Sequence, residues 1–139
     1  MNSRKGQYLA IETVFSFGLG LIVAIAVITG FNNFRVGALD TAEASQVKVV
    51  QAKVNDAVYS MGYMNSQSEG SIVLELPERI AGQNYQMSWE GGVLDIYVSG
   101  TTYSTSYDYL NSTHSFDGSS DGGTVNILKR GNQYLLRDR

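Results

Sequence analysis

The chain has 139 residues, a mass of 15.2 kDa and a formal net charge of −3 at pH 7. That length allows one domain with an accessory segment, not two full domains. The acidic balance gives no basic patch or stripe for nucleic acid. The absence of cysteine removes thiol catalysis, thiolate zinc sites and disulfides together.

Charge is unevenly spread. Residues 13–34, between Glu12 and Arg35, carry no charge and are largely apolar. As a helix at 1.5 Å per residue this run is about 33 Å long, enough to cross a hydrocarbon core of about 30 Å. Arg4 and Lys5 precede it. The positive-inside rule therefore predicts a single-pass protein with a cytoplasmic N-terminus and the remainder outside. The run exceeds the apolar core of a secretory signal, about 7–15 residues, and no small-x-small cleavage site follows it. Glu12 stands at the edge of the run, where a carboxylate either sits at headgroup level or has a partner. Gly20 with Ala24, and Ala26 with Gly30, are small residues four apart. Such pairs let neighbouring helices approach closely, although glycine is common in membrane helices in any case.

Arg4-Lys5-Gly6-Gln7, followed by an apolar run with an early glutamate, resembles the class III signal peptide of archaeal type IV pilins and archaellins. The resemblance implies cleavage between Gly6 and Gln7 by a prepilin peptidase on the cytoplasmic side, with Arg4 and Lys5 in the recognised leader. It implies a major or minor pilin of a type IV pilin-like surface filament. The implied partners are the peptidase, other pilin subunits in a homo- or heteropolymer, and membrane lipid before assembly. Glu12 would then pair with a neighbouring subunit's new N-terminal amine. Here it would be the sixth mature residue, one later than the family pattern, which turns it by about 100° around the helix. The physical logic is that a carboxylate in low dielectric is relieved by an ammonium that exists only after cleavage. The competing expectation is an unprocessed single-pass anchor whose outer domain is a binding module of a surface or secretion apparatus.

Beyond the apolar run, Val47, Val50, Val54, Val58 and Met61 recur at helical spacing and make one apolar stripe. One helix is expected from about Ala10 to about Met61, with Gly62 as its C-cap. The stripe is too short for a convincing zipper and is expected to cover a sheet.

After Gly70 the period changes to two. Strands are expected within 72–76, 85–89, 93–98, 124–129 and 133–137, about five in all, with the Thr- and Tyr-rich 101–107 as a further candidate. Glu90-Gly91-Gly92 and Arg130-Gly131-Asn132 provide hairpin turns. Short connections imply antiparallel pairing throughout. The fold class is therefore α+β: a long N-terminal helix, half membrane-spanning and half amphipathic, packed on a small antiparallel sheet, pilin-like. The expected divisions are a leader over 1–6, a transmembrane and assembly helix over 7–34, an amphipathic helix over 35–64 and an extracellular β domain over 65–139.

No catalytic constellation emerges, so no enzyme activity, cofactor or metal is expected. His114 is the single histidine and sits in a polar stretch, and no G-x-S-x-G motif occurs. Asp117 to Gly123 lacks the spacing of a calcium loop and reads as a flexible surface loop. Asn111-Ser112-Thr113 is a possible glycosylation sequon. Tyr97, Tyr103, Tyr107, Tyr109 and Tyr134 are strand residues that could also form a contact surface.

Overall fold

The computed structural model describes residues 3–64, 68–107, 110 and 113–139, with backbone alone for 3–7, 9 and 10. It divides into two compact units, Met1–Thr41 and Ala42–Arg139. Helix α1 (Ser3–Gly62) supplies the first unit and the start of the second.

The second unit holds seven strands: β1 (Glu69–Glu75), β2 (Tyr85–Glu90), β3 (Val93–Val98), β4 (Thr101–Ser106), β5 (Ser115–Ser120), β6 (Thr124–Arg130) and β7 (Gln133–Asp138). They form one sheet in the order β1-β6-β7-β5-β2-β3-β4. The α+β class is as the sequence implies, a long helix on a mostly antiparallel sheet. Two expectations about that sheet fail.

The strand count is seven, because 101–106 forms β4 and residues 115–120 form β5 where the composition suggested loop. Within β5 only Phe116 is strongly apolar, and its inward partner two pairs on is Ser120, 2% exposed. Alternation carried by one aromatic and one serine leaves no hydrophobic pattern to detect. Pairing is also not antiparallel throughout, since β5 and β7 run parallel with Phe116 opposite Tyr134. The chain leaves β5, skips one strand position to lay down β6, and returns through a tight hairpin to place β7 in the gap. A parallel pair thus arises without a long crossover.

The hairpins follow from their turn residues. Gly91 and Gly92 have φ of 56° and 80°, as do Ser99 and Gly100 at 50° and 93°. Two successive left-handed residues match the right-handed twist of the flanking strands. The turn between β6 and β7 needs only one, Gly131, with φ of 59°.

The core lies between the sheet and the 42–62 part of α1. Val47, Val50, Val54, Val58 and Met61 are all at most 1% exposed, and Ala57 joins them. They share one core with inward residues of the strands, among them Met87, Trp89, Leu94, Ile96, Val125, Ile127 and Leu136, and the edge strands add the partly buried Ile72, Leu74 and Tyr103. Burying each stripe residue is worth about 1.5–3 kcal/mol. Together they approach the entire net stability of a domain, roughly 5–15 kcal/mol. This part of the helix is therefore integral to the domain.

Polar side chains fasten the same helix at its flanks. Gln46 accepts from the Ala81 amide (2.7 Å), Lys53 donates to the Glu75 carbonyl (2.8 Å), and Glu43 accepts from the Tyr103 hydroxyl (3.0 Å). Asn55 accepts from the Tyr107 hydroxyl. These bonds lie to both sides of the valine stripe and resist rolling of the helix on the sheet.

Close approach of β5 and β7 requires a glycine at 118. Its φ is 126°, and a Cβ there would lie 2.1 Å from the Leu136 carbonyl oxygen. Gly118→Ala is expected to destabilise the domain by about 3 kcal/mol in denaturant unfolding. Gly91→Ala meets open space and only φ strain, so about 1–2 kcal/mol is expected there. Equal costs for the two variants would refute the steric account.

Candidate functional site

The first unit is a helix whose surface is apolar on all sides. Phe15, Phe17, Ile22, Ile28, Phe31 and Phe34 are each at least two-thirds exposed, and every larger apolar residue from Ile11 to Leu39 is bare. No side chain in its most apolar window is buried. At about 1.5–3 kcal/mol for each large side chain left in water, tens of kcal/mol favour moving this segment into lipid or against other helices. By length and composition it could cross a membrane.

The sequence-predicted residues distribute along this helix as follows. Arg4, Lys5, Gly6 and Gln7 fall in the first turns of α1. Glu12 is exposed on its surface. Gly20, Ala24, Ala26 and Gly30 are exposed, and a Cβ added at Gly20 or Gly30 would meet nothing within 4 Å. No intramolecular packing accounts for either glycine. At 100° per residue the pair Gly20/Ala24 and the pair Ala26/Gly30 lie about 120° apart around the axis, so they mark two faces. Glu12 and Gly30 are separated by five full turns and share one side of the helix. That shared face is a consequence of the helix period which spacing between neighbouring small residues does not reveal. Asn111 and Tyr109 lie outside the described residues.

In the second unit the expected cap at Gly62 is not made by the glycine. Gly62 keeps a helical backbone, without the positive φ a glycine cap uses. A lysine from the sheet takes the role: Lys129, on the inward face of β6 and 1% exposed, donates to the Met61 and Met64 carbonyls, 2.9 Å each. An ammonium at a helix C-terminus satisfies orphan carbonyls and opposes the negative end of the helix dipole. Its charge also lies 5.9 Å from the Tyr134 ring centre. The sequence signal was available: Lys129 continues the inward series Val125, Ile127 by strand alternation.

Two tyrosines expected to contribute surface are core residues. Tyr107 and Tyr134 are 1% and 0% exposed. With Trp89 and Phe116 they form an aromatic cluster, with Trp89 to Phe116 at 4.8 Å and Phe116 to Tyr134 stacked at 5.1 Å between centroids. Tyr97 remains half-exposed, and Tyr103 is partly buried. His114 is half-buried with its ring 5.5 Å from that of Tyr134, and its Nδ1 is 2.7 Å from the Thr113 hydroxyl.

Among the described residues, no group of three or more His, Cys, Asp or Glu is gathered closely enough to hold a metal ion. Tyr85 donates to the Pro77 carbonyl (2.7 Å), and burial pushes its hydroxyl from 10.0 up to about 12. Burial raises Tyr134 as well. Comparison with protein-family models, with curated proteins and with solved structures finds no match for this chain.

Two outcomes follow. Lys129→Met keeps the side-chain length but leaves the Met64 carbonyl short of its donor. It should cost about 1–3 kcal/mol and accelerate hydrogen exchange at the end of α1; unchanged stability and exchange would exclude the capping role. A phenol pKa raised by folding stabilises fully below the unfolded value, and that contribution fades as pH rises through the folded one. Stability should therefore fall between pH 10 and about 12. Tyr85→Phe should show a shallower fall in the same pH titration of unfolding.

Proposed function

We propose that the chain is a structural subunit, major or minor, of a type IV pilin-like surface filament. The observation that carries this reading is the contrast between the two units. The second unit buries its own core completely, whereas the first is an apolar helix bare on every side. Such a helix serves equally as a membrane span before assembly and as a packing element between subunits afterwards. Small residues on two of its faces fit a helix contacted by more than one neighbour.

On this reading the subunit enters the membrane with its N-terminus in the cytoplasm and its sheet outside. Prepilin peptidase cuts between Gly6 and Gln7, and removes Arg4 and Lys5 with the leader. The new amine at Gln7 is the cation available to Glu12 of an adjacent subunit. Desolvation then makes that pairing strong in the filament and weak in water.

The test is the N-terminal residue of the native protein, read by mass spectrometry in membranes and in sheared surface material. The expected terminus is Gln7, in both fractions. Gly6→Val should leave uncleaved precursor in the membrane and nothing in the sheared fraction. Glu12→Gln should be cleaved normally yet reduce sheared material at least tenfold. An intact Met1 or Asn2 in wild-type protein that stays with the membrane would replace this reading with an unprocessed anchor carrying a binding module.

A further inference from the structure

The sheet of the second unit is open, with β1 and β4 as its edges. Strand edges present unpaired N–H and C=O groups, and proteins usually protect them with proline, lysine, bulges or a covering element. Here β4 reads Thr-Thr-Tyr-Ser-Thr-Ser, without charge or proline, and β1 carries charge only at its two ends, where Lys53 occupies the outward Glu75 carbonyl and leaves the outward groups of Ser71 and Val73 open. Both edges are rich in exposed positions suited to a further strand.

The two edges are complementary to each other in direction. Passing from β1 across the sheet, five of the six neighbouring pairs are antiparallel and one is parallel. An odd number of reversals leaves β1 and β4 opposed in local direction. A second copy placed beside the first, β4 against β1, therefore continues the sheet with an antiparallel pair.

They are also complementary in facing. The Leu76 amide bonds inward to the Gly123 carbonyl (2.8 Å), while the Glu75 carbonyl points outward to Lys53. By ladder alternation, Ser71 and Val73 turn their backbone groups out of the sheet. On the other edge the Tyr107 amide bonds inward to the Gly92 carbonyl (2.7 Å), so Thr102, Ser104 and Ser106 turn theirs outward. On β1, Ile72 and Leu74 pack on the core, as Tyr103 does on β4. The residues with free backbone thus carry their side chains on the same face of the sheet at both edges, away from the helix. An antiparallel pair places opposite side chains on one face. Joining these edges keeps the helix-bearing face continuous; the opposite parity would have turned one copy inside out.

We infer that copies of this chain associate edge to edge, β1 of one copy pairing antiparallel with β4 of the next. The contact joins two different surfaces, so it does not close on two copies. Sheet twist of about 20–25° per strand turns each copy relative to the last and makes the array helical. The inference rests on the second unit and stands apart from helix-mediated filament assembly.

The chain has no cysteine, so cross-links can be placed at will. Full-length protein in detergent carries Val73→Cys together with Thr102→Cys, Ser104→Cys or Ser106→Cys, three variants covering the possible registers. Treatment with a short bis-maleimide should give trimers and higher multimers in at least one variant, and mixing the matching single-cysteine proteins should give dimers only. Val73→Cys with Thr105→Cys, whose side chains face opposite sides, should give none. Adding Ser104→Pro to the Val73→Cys/Thr102→Cys protein removes an outward N–H without touching the backbone ladder to β3, and it also removes the hydroxyl that donates to Asp95. It should abolish the multimers with circular dichroism unchanged, whereas Ser104→Ala, which loses the same side-chain bond, should keep them. Absence of multimers from all three variants, or equal multimers from the Thr105 control, overturns the pairing. Because the protein is held in detergent, neither result depends on whether Gly6 is cleaved.

Discussion

The second unit depends on one contact, the valine stripe of α1 laid along one face of the sheet. A single sheet of seven strands has a hydrophobic face that water would otherwise solvate, and α1 is its main cover, with Ile80 and Leu110 adding to it from the connections. Val50, Val54 and Val58 are fully buried beneath the helix axis. The aromatic cluster of Trp89, Tyr107, Phe116 and Tyr134 fills the space toward β5 and β7. Valine is a mediocre helix former, so the choice reflects packing on a pleated surface more than local propensity.

Around that apolar contact the polar groups set the position of the helix. Glu43, Gln46, Lys53 and Asn55 fasten its flanks, and Lys129 holds its end. Burying an ammonium is costly unless its donors are used. Lys129 uses two of them, on the Met61 carbonyl of the last turn, which also accepts from the Met64 amide, and on the Met64 carbonyl just past the helix. The lysine and the helix terminus therefore answer each other's desolvation penalty. The result couples the end of α1 to β6.

The first unit obeys the opposite rule. Its glycines touch nothing, its apolar side chains cover nothing, and its uncharged run over 13–34 is long enough to cross a bilayer. Exposure of a surface this apolar to water is strongly disfavoured. On the proposed reading, lipid or other helices complete it. The functional proposal follows from that incompleteness, combined with the leader-like residues that precede it.

The sequence alone determined the elements whose signal is periodic. The apolar run needed only length and absence of charge, and the stripe at 47, 50, 54, 58 and 61 needed only the helical period. Two of the three hairpins followed from Gly91-Gly92 and Gly131, because left-handed backbone is nearly confined to such residues. The tertiary structure decided what depends on partners distant in the chain. Strand β5 exists because Gly118 lets β7 approach, a fact that its own polar composition hides. The parallel pairing of β5 with β7 depends on the order in which strands are laid down, which short loops do not specify. Lys129 became a helix cap, and Tyr107 and Tyr134 became core, through contacts 52 or more residues apart in two of the three cases. Local pattern fixes which way a side chain points; only the assembled neighbours determine what it meets there.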